Sequence, residues 1–142
     1  DVDLAIPDPN CPEAGTDSFY SWTRGIVTLR QDEEALKISG YNPADNGNFV
    51  WKVGPWMSEK KGQNQRVIGW KTKAKTNGEE IMVLINFEGA EVEVELELST
   101  PQFWKKLADI EQVYQPPEEL TAKQLPKINL PPYSGFIYKK EK

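Results

Sequence analysis

Carboxylates are the commonest reactive groups in this sequence of 142 residues, and the most regular of them are Glu91, Glu93, Glu95 and Glu97. On a strand, alternate side chains share a face at a spacing of roughly 7 Å, from which a glycosidase-like acid pair or a calcium site could be assembled. The residues in between, Val92, Val94, Leu96 and Leu98, point to a different role. They form a buried face, and the row of like charges opposite is a solvated face that keeps the sheet soluble and discourages edge pairing. Asp32, Glu33 and Glu34 are consecutive in a helical pattern, so they diverge around the axis and also read as solvated. The sequence has no histidine, and Cys11 is its single cysteine. Triads with a histidine base, zinc sites of ordinary composition and an internal disulfide are therefore excluded. Ser39-Gly40-Tyr41 and Gly54-Pro55 lack the spaced glycines and the Lys-Ser/Thr of phosphate loops. The expectation is a chain with no catalytic residues, no metal site and no cofactor of its own.

Aromatic rings remain, because the C–H faces of sugar rings stack on Trp and Tyr, of which there are five each. Trp51 and Trp70 share strand faces with Phe49, Val53 and Ile68 and are expected in a core. Trp56 sits in a polar, Lys-rich loop from Gly54 to Arg66, and with Tyr41 it is the candidate substrate contact.

The elements that must position these residues follow from periodicity. Residues 1–16 hold Pro7, Pro9, Pro12 and Gly15 and read as an extended connecting segment. From Asp17 to Lys37, the residues Phe19, Trp22, Ile26, Leu29 and Leu36 fall on one stripe with Val27 beside it, an amphipathic helix with Thr16 or Asp17 as cap and Gly40 beyond its end. Gly25 interrupts that stripe, where a missing side chain would allow close approach. After Gly40 the period shortens to two, giving strands over Phe49–Val53 and Ile68–Thr72. Asn77-Gly78 marks a hairpin into Ile81–Phe87, and Glu88-Gly89 turns into Glu91–Leu98. Thr100-Pro101 reads as the cap of a short helix carrying Phe103, Trp104 and Leu107, and beyond it Pro116, Pro117 and Pro126 break up regular structure. Ile128–Leu130 and Gly135–Lys139 close the series as strands. The fold class is all-β, an antiparallel β-sandwich with an N-terminal amphipathic helix, divided into a segment 1–16, a helix 17–38 and a sandwich 39–142.

Composition bounds the partners. Hydrophobic residues at 38% and charged ones at 27% are globular values. Twenty-two acidic against seventeen basic side chains give a net charge of -5, which repels polyanions and argues against nucleic acid or an anionic membrane surface. The longest apolar stretch, Ile81–Phe87, is far short of the roughly 20 residues that span a bilayer, and no basic-then-apolar leader pattern opens the sequence. A start at Asp1 in place of methionine gives the expectation of a piece of something longer.

Several segments resemble a known family. Arg66 to Trp70 (RVIGW), Glu80 to Phe87 (EIMVLINF), Glu91 to Leu98 (EVEVELEL) and the ending Leu130 to Tyr138 (LPPYSGFIY) are similar to the C-terminal β-sandwich of α-amylase family glycoside hydrolases. Phe19 to Leu36, FYSWTRGIVTLRQDEEAL, resembles the last barrel helix of those enzymes, with Asp32-Glu33-Glu34 where a proline is usual. The resemblance covers about Asp17 to Lys139, with the stretch from Gly40 to Gln65 poorly matched. It implies an accessory, structural domain of an enzyme acting on α-glucans by hydrolysis or transfer. The aspartate and glutamate catalysts of that family precede this helix, and none of their motifs occurs here. The implied partner is an upstream catalytic barrel. The alternative is a carbohydrate-binding module that holds starch-like α-glucan through Trp56 and Tyr41. The breadth of the helical stripe adds a third expectation, self-association through residues 17–37.

Overall fold

The computed structural model describes residues 19–37, 48–54, 66–96, 102–120 and 127–141, with side chains for all of these but 19–21 and 115–120. Helix α1 (Phe19–Asp32) and a 3-10 turn (Glu34–Leu36) precede eight strands: β1 (Phe49–Val53), β2 (Val67–Lys73), β3 (Glu80–Asn86), β4 (Val92–Glu95), β5 (Trp104–Ala108), β6 (Val113–Leu120), β7 (Lys127–Leu130) and β8 (Ser134–Lys140). Six of them form one sheet in the order β1-β2-β3-β8-β5-β6, and β4 pairs with β7 in a second. Every described pairing is antiparallel, as the alternation in the sequence predicts.

The large sheet is covered on both faces, and β3 shows it directly. Met82 and Leu84 point into a core shared with Val92, Val94 and Leu96 and with Ile128, Leu130, Trp104 and Tyr138. Ile81 and Val83, one residue out of phase, point to the opposite face and pack with Ala35, Ala74 and Leu107, with Leu29 and Leu36 against them. This is why EIMVLIN reads as a continuous apolar run whereas EVEVEL alternates: β3 is buried on two sides, and β4 on one. Glu91, Glu93 and Glu95 are exposed as expected. Glu97 and Leu98 lie outside the described residues.

The β2–β3 hairpin uses Asn77-Gly78 as predicted, with Gly78 at φ 70 and the Asn77 side-chain oxygen accepting from Glu79 N at 2.9 Å. The second turn, after β3, is built around Asn86. This side chain is 1% exposed, and its Nδ2 lies 3.0, 3.1 and 2.9 Å from the carbonyl oxygens of Ala90, Leu130 and Pro131. Its Oδ1 accepts from Glu88 N at 2.8 Å, so one amide fixes both the exit from β3 and the turn between β7 and β8.

The structure corrects four sequence expectations. Thr100-Pro101 does not start a helix through Phe103, Trp104 and Leu107: residues 104–108 are strand β5, whose backbone pairs with β8 and β6 while Trp104 and Leu107 enter opposite cores. Pro116 and Pro117 do not end structure either. They lie within β6, an edge strand whose pairing with β5 slips between Lys106 and Ala108, the position where prolines without an N–H are tolerated. The helix ends at Asp32, short of Lys37, because Glu33 adopts an extended backbone at φ -92 and ψ 105. Acidic residues at a helix C-terminus oppose the macrodipole, which favours that early stop. Finally, β1 does not keep Phe49, Trp51 and Val53 on one face. A bulge between Trp51 and Val53, opposite Gly69, sends Val53 to the sandwich core. Gly69 leaves room for Leu84 of β3, since a Cβ there would lie 2.5 Å from Leu84 Cδ2.

The one-sided burial of β4 predicts unequal responses along it and its continuation. Leu96→Ala should cost about 2 to 5 kcal/mol, while Glu95→Ala should stay within about 0.5 kcal/mol. Urea denaturation of both variants checks this, and equal losses would refute the assigned phase.

Candidate functional site

Trp56 and Tyr41, the candidate sugar contacts, both lie outside the described residues. Among the described residues, no group of three or more acidic, Cys or His side chains could hold a metal ion. No described helix is long and apolar enough to cross a membrane. What the structure assembles is a layered surface on the helix side of the large sheet.

Three aromatic residues form the β1–β2 end of that surface. Register pairs Phe49 with Thr72 and Trp51 with Trp70, which places all three rings on the same face as Ile81 and Val83. The rings of Phe49 and Trp51 meet edge-on at 4.8 Å, Trp51 and Trp70 at 6.0 Å, and Phe49 stacks near Trp70 at 6.2 Å. Phe49 is buried, but Trp51 and Trp70 are only half-buried, a departure from the core positions expected of them. The reason lies in coverage. The 3-10 turn packs over β2 and β3, and α1 runs beside β6 at the far edge of the sheet.

At that far edge the helix approaches closely. Trp22 Nε1 donates to Asp109 O at 2.8 Å, and Gly25 faces Val113, whose Cγ2 would lie 2.7 Å from a Cβ at that position. Asp109 is itself organised to receive the helix. Its Oδ1 accepts from the backbone N–H groups of Glu111 and Gln112 and its Oδ2 from Tyr114 at 2.6 Å, with Lys106 Nζ 3.4 Å away. Burial pushes the Asp109 carboxyl up, but the Tyr114 hydroxyl and the two N–H groups outweigh it and hold it below the ordinary aspartate value. Of the helix side chains, Trp22, Ile26 and Leu29 are half-buried, while Val27 remains 51% exposed.

Charge pins the other end of the helical segment. Of Asp32, Glu33 and Glu34, expected on a solvated face, Asp32 is exposed, whereas Glu33 and Glu34 are half-buried because the chain leaves the α-helix before them. Glu33 holds Lys139 of β8 at 2.8 and 3.0 Å, and Lys139 also reaches Glu79 at 3.0 Å. The Glu34 carboxylate accepts from both the backbone N–H and the hydroxyl of Thr76 in the β2–β3 turn. A second cluster places Glu80 between Lys71 at 2.7 Å and Lys140 at 2.8 Å. Burial pushes the Glu80 carboxyl up, yet hydrogen bonds from Lys140 and Lys71 outweigh it and leave it below the ordinary glutamate value. Burial likewise pulls the Lys139 ammonium down, and its hydrogen bonds to Glu33 and Glu79 reverse that and raise it. No spacing rule in the sequence brings Glu33 to Lys139. The partners meet only through the pairing of β8 with β3.

Comparison with known proteins bears on this arrangement. No family model matches the chain, and no curated protein sequence matches it. Solved structures do. Trehalulose synthase MutB from Pseudomonas mesoacidophila MX-45 superposes with a TM-score of 0.58 at 18% identity, over 89% of this chain and 18% of its own. An isomaltulose synthase variant from Erwinia rhapontici NX5, in complex with its natural substrate sucrose, gives a TM-score of 0.61 at 16% identity, over 91% of this chain and 19% of its own. The chain shares the fold of one domain of these enzymes. It spans less than a fifth of the length of either protein, and the all-β sandwich implied by the resemblance to α-amylase family C-terminal domains is the fold observed.

Two outcomes test how the helical segment is held. Gly25→Ala should fail to give the gain of about 1 kcal/mol usual for that exchange in a helix, and adding Val113→Ala should restore it. A gain from the single variant would mean α1 is not seated on Val113; thermal unfolding followed by circular dichroism reads both. Stability should also follow the ion clusters. Glu80, with its lowered value, contributes above the ordinary glutamate range near pH 4.5, and that contribution is lost as pH falls through the lowered value. Lys139, with its raised value, contributes below the ordinary lysine range near pH 10.5 and loses its contribution as pH rises through the raised value. Denaturation across pH should therefore show an acid limb reduced by Glu80→Gln and an alkaline limb reduced by Lys139→Met. Limbs unchanged in those variants would assign the pH dependence elsewhere.

Proposed function

We propose that this chain is the terminal helix and C-terminal sandwich of an α-amylase family glycoside hydrolase or transglycosylase, where it covers and stabilises the catalytic barrel and is not catalytic by itself. One observation carries the reading: the apolar surface on the helix side of the large sheet is left part-covered. Ile26 and Leu29 are half-buried over the sheet while Val27 stays exposed, and the adjoining sheet face keeps Trp51 and Trp70 half-covered. An apolar face that one domain leaves part-covered is a surface for a further layer. A catalytic barrel is the second layer that the solved neighbours' much greater length leaves room for. The α-glucan substrate class comes from the family resemblance, and isomaltulose synthase, with sucrose as natural substrate, extends it to α-glucosides.

The reading predicts an unfinished surface. The isolated chain should self-associate at high concentration or bind a hydrophobic dye, and Val27→Lys with Trp51→Lys should suppress both without loss of β-sheet circular dichroism. It should release no reducing sugar from soluble starch. A dye-silent monomer in sedimentation would remove the support for a missing layer. Sugar release that is abolished by mutating one of the chain's own acidic residues would make it an enzyme.

A further inference from the structure

At the end of the sheet away from the 3-10 turn lies a feature that docking to a barrel does not explain. Tyr133 is 69% exposed and has φ 50, the one non-glycine residue among those described with a left-handed backbone. Glycine and asparagine are the residues that ordinarily take this conformation, and a bulky aromatic there is strained. Strain of this kind persists only where surrounding bonds over-determine the backbone. They do so here. Tyr133 N donates to Glu88 O at 3.0 Å, and the carbonyl of Pro131 accepts from Asn86 Nδ2 at 2.9 Å and from Ser134 Oγ at 2.7 Å. The ring is positioned as well, because it lies across Gly89, where a Cβ would stand 2.9 Å from the phenol oxygen and 3.4 Å from Cζ. Neither ordinary explanation of a tyrosine holds: the side chain is not part of a core, and the residue type is not one the turn favours.

We infer that Tyr133 is a stacking platform for a hexopyranose ring of a neutral glycan. An aromatic ring held in one orientation with a free face fits the C–H face of a pyranose, and fixing it beforehand lowers the entropic cost of binding. Phe87, 52% exposed, begins the same loop, with its N–H bonded to Arg66 O at 2.9 Å, and adds a second accessible ring to this end. Glu88 and the exposed Glu91 flank Gly89 in the chain. Carboxylates accept hydrogen bonds from sugar hydroxyls and repel phosphates, which favours a neutral polyhydroxyl ligand over a nucleotide or an anionic lipid. The site lies apart from the helix-side surface, so its failure leaves the docking role untouched, and failure of the docking role leaves this site untouched.

The test uses the whole chain with maltohexaose, cellohexaose and mannohexaose as probes, followed by the backbone amide shifts of residues 87–91 and 131–135 and by titration. At least one probe should bind and move those amides. Tyr133→Ala should weaken binding by about tenfold or more, and Tyr133→Phe should retain it within about threefold, since stacking and not the hydroxyl supplies the contact. Gly89→Ala, which displaces the ring, should weaken binding without unfolding the chain. Tyr133→Gly separates roles: relief of the left-handed strain should raise the melting temperature while binding is lost. No binding of any probe, binding unchanged in Tyr133→Ala, binding lost in Trp56→Ala but kept in Tyr133→Ala, or a lowered melting temperature in Tyr133→Gly would each overturn the assignment.

Discussion

The buried amide of Asn86 is the contact on which the two-sheet arrangement turns. It stands at the last position of the central strand, with its oxygen engaged by Glu88 N and its nitrogen facing carbonyls of Ala90, Leu130 and Pro131. Those carbonyls belong to the loop leading into β4 and to the end of β7, the two strands of the small sheet. One side chain thus sets where the chain leaves the large sheet, where it returns, and the separation of the sheets between. A buried amide left unpaired costs about 1 to 3 kcal/mol per group, so any other path for these loops is penalised at several groups together. Apolar burial supplies most of the driving force for the core, but it does not select among sheet pairings. The amide does.

A second constraint is that β3 is apolar on both faces and therefore has to lie inside three layers. The small sheet supplies one cover and the helical segment the other. The helical cover is held differently at its two ends. At α1 it depends on close approach, with Gly25 against Val113 and Trp22 bonded to Asp109 O. At the 3-10 turn it depends on charge, through Glu33, Lys139 and Glu79. Between these anchors the contact is apolar, and toward the β1 edge Trp51 and Trp70 mark where coverage runs out.

How much of the fold was legible in the sequence depends on the range of the forces involved. Period-two alternation in β4, the Asn77-Gly78 turn and the amphipathic stripe of α1 are local patterns, and each is realised close to its expected place. The errors arose where pairing across the chain overrides local preference. Thr100-Pro101 with Phe103 and Trp104 after it has the form of a helix start, yet two neighbouring strands are available to residues 104–108, and the ladder bonds with β8 and β6 prevail. Pro116 and Pro117 argue against a central strand but not against an edge strand beside a bulge, and strand order is not written in local periodicity. The bulge that turns Val53 inward is a feature of the pairing of β1 with β2, which local periodicity does not carry. Of the candidate site, the aromatic residues were visible as composition. Their grouping on one face required the β1–β2 register, and the Lys139 cluster required that of β3 and β8.

The fold also separates two kinds of surface that composition alone merges. Aromatic residues on the helix side are held in contact with one another and with the helical cover. Tyr133 at the loop end is held by hydrogen bonds and a glycine seat while its ring stays in water. Apolar contact alone, released from water over a broad face, suits permanent association with another domain, because the energy scales with area and needs little direction. A single fixed ring buries too little for that, and gains instead from orientation. On the proposed docking role, the same residue class serves attachment at one place and, as inferred for Tyr133, recognition at the other, and the backbone that presents the ring decides which.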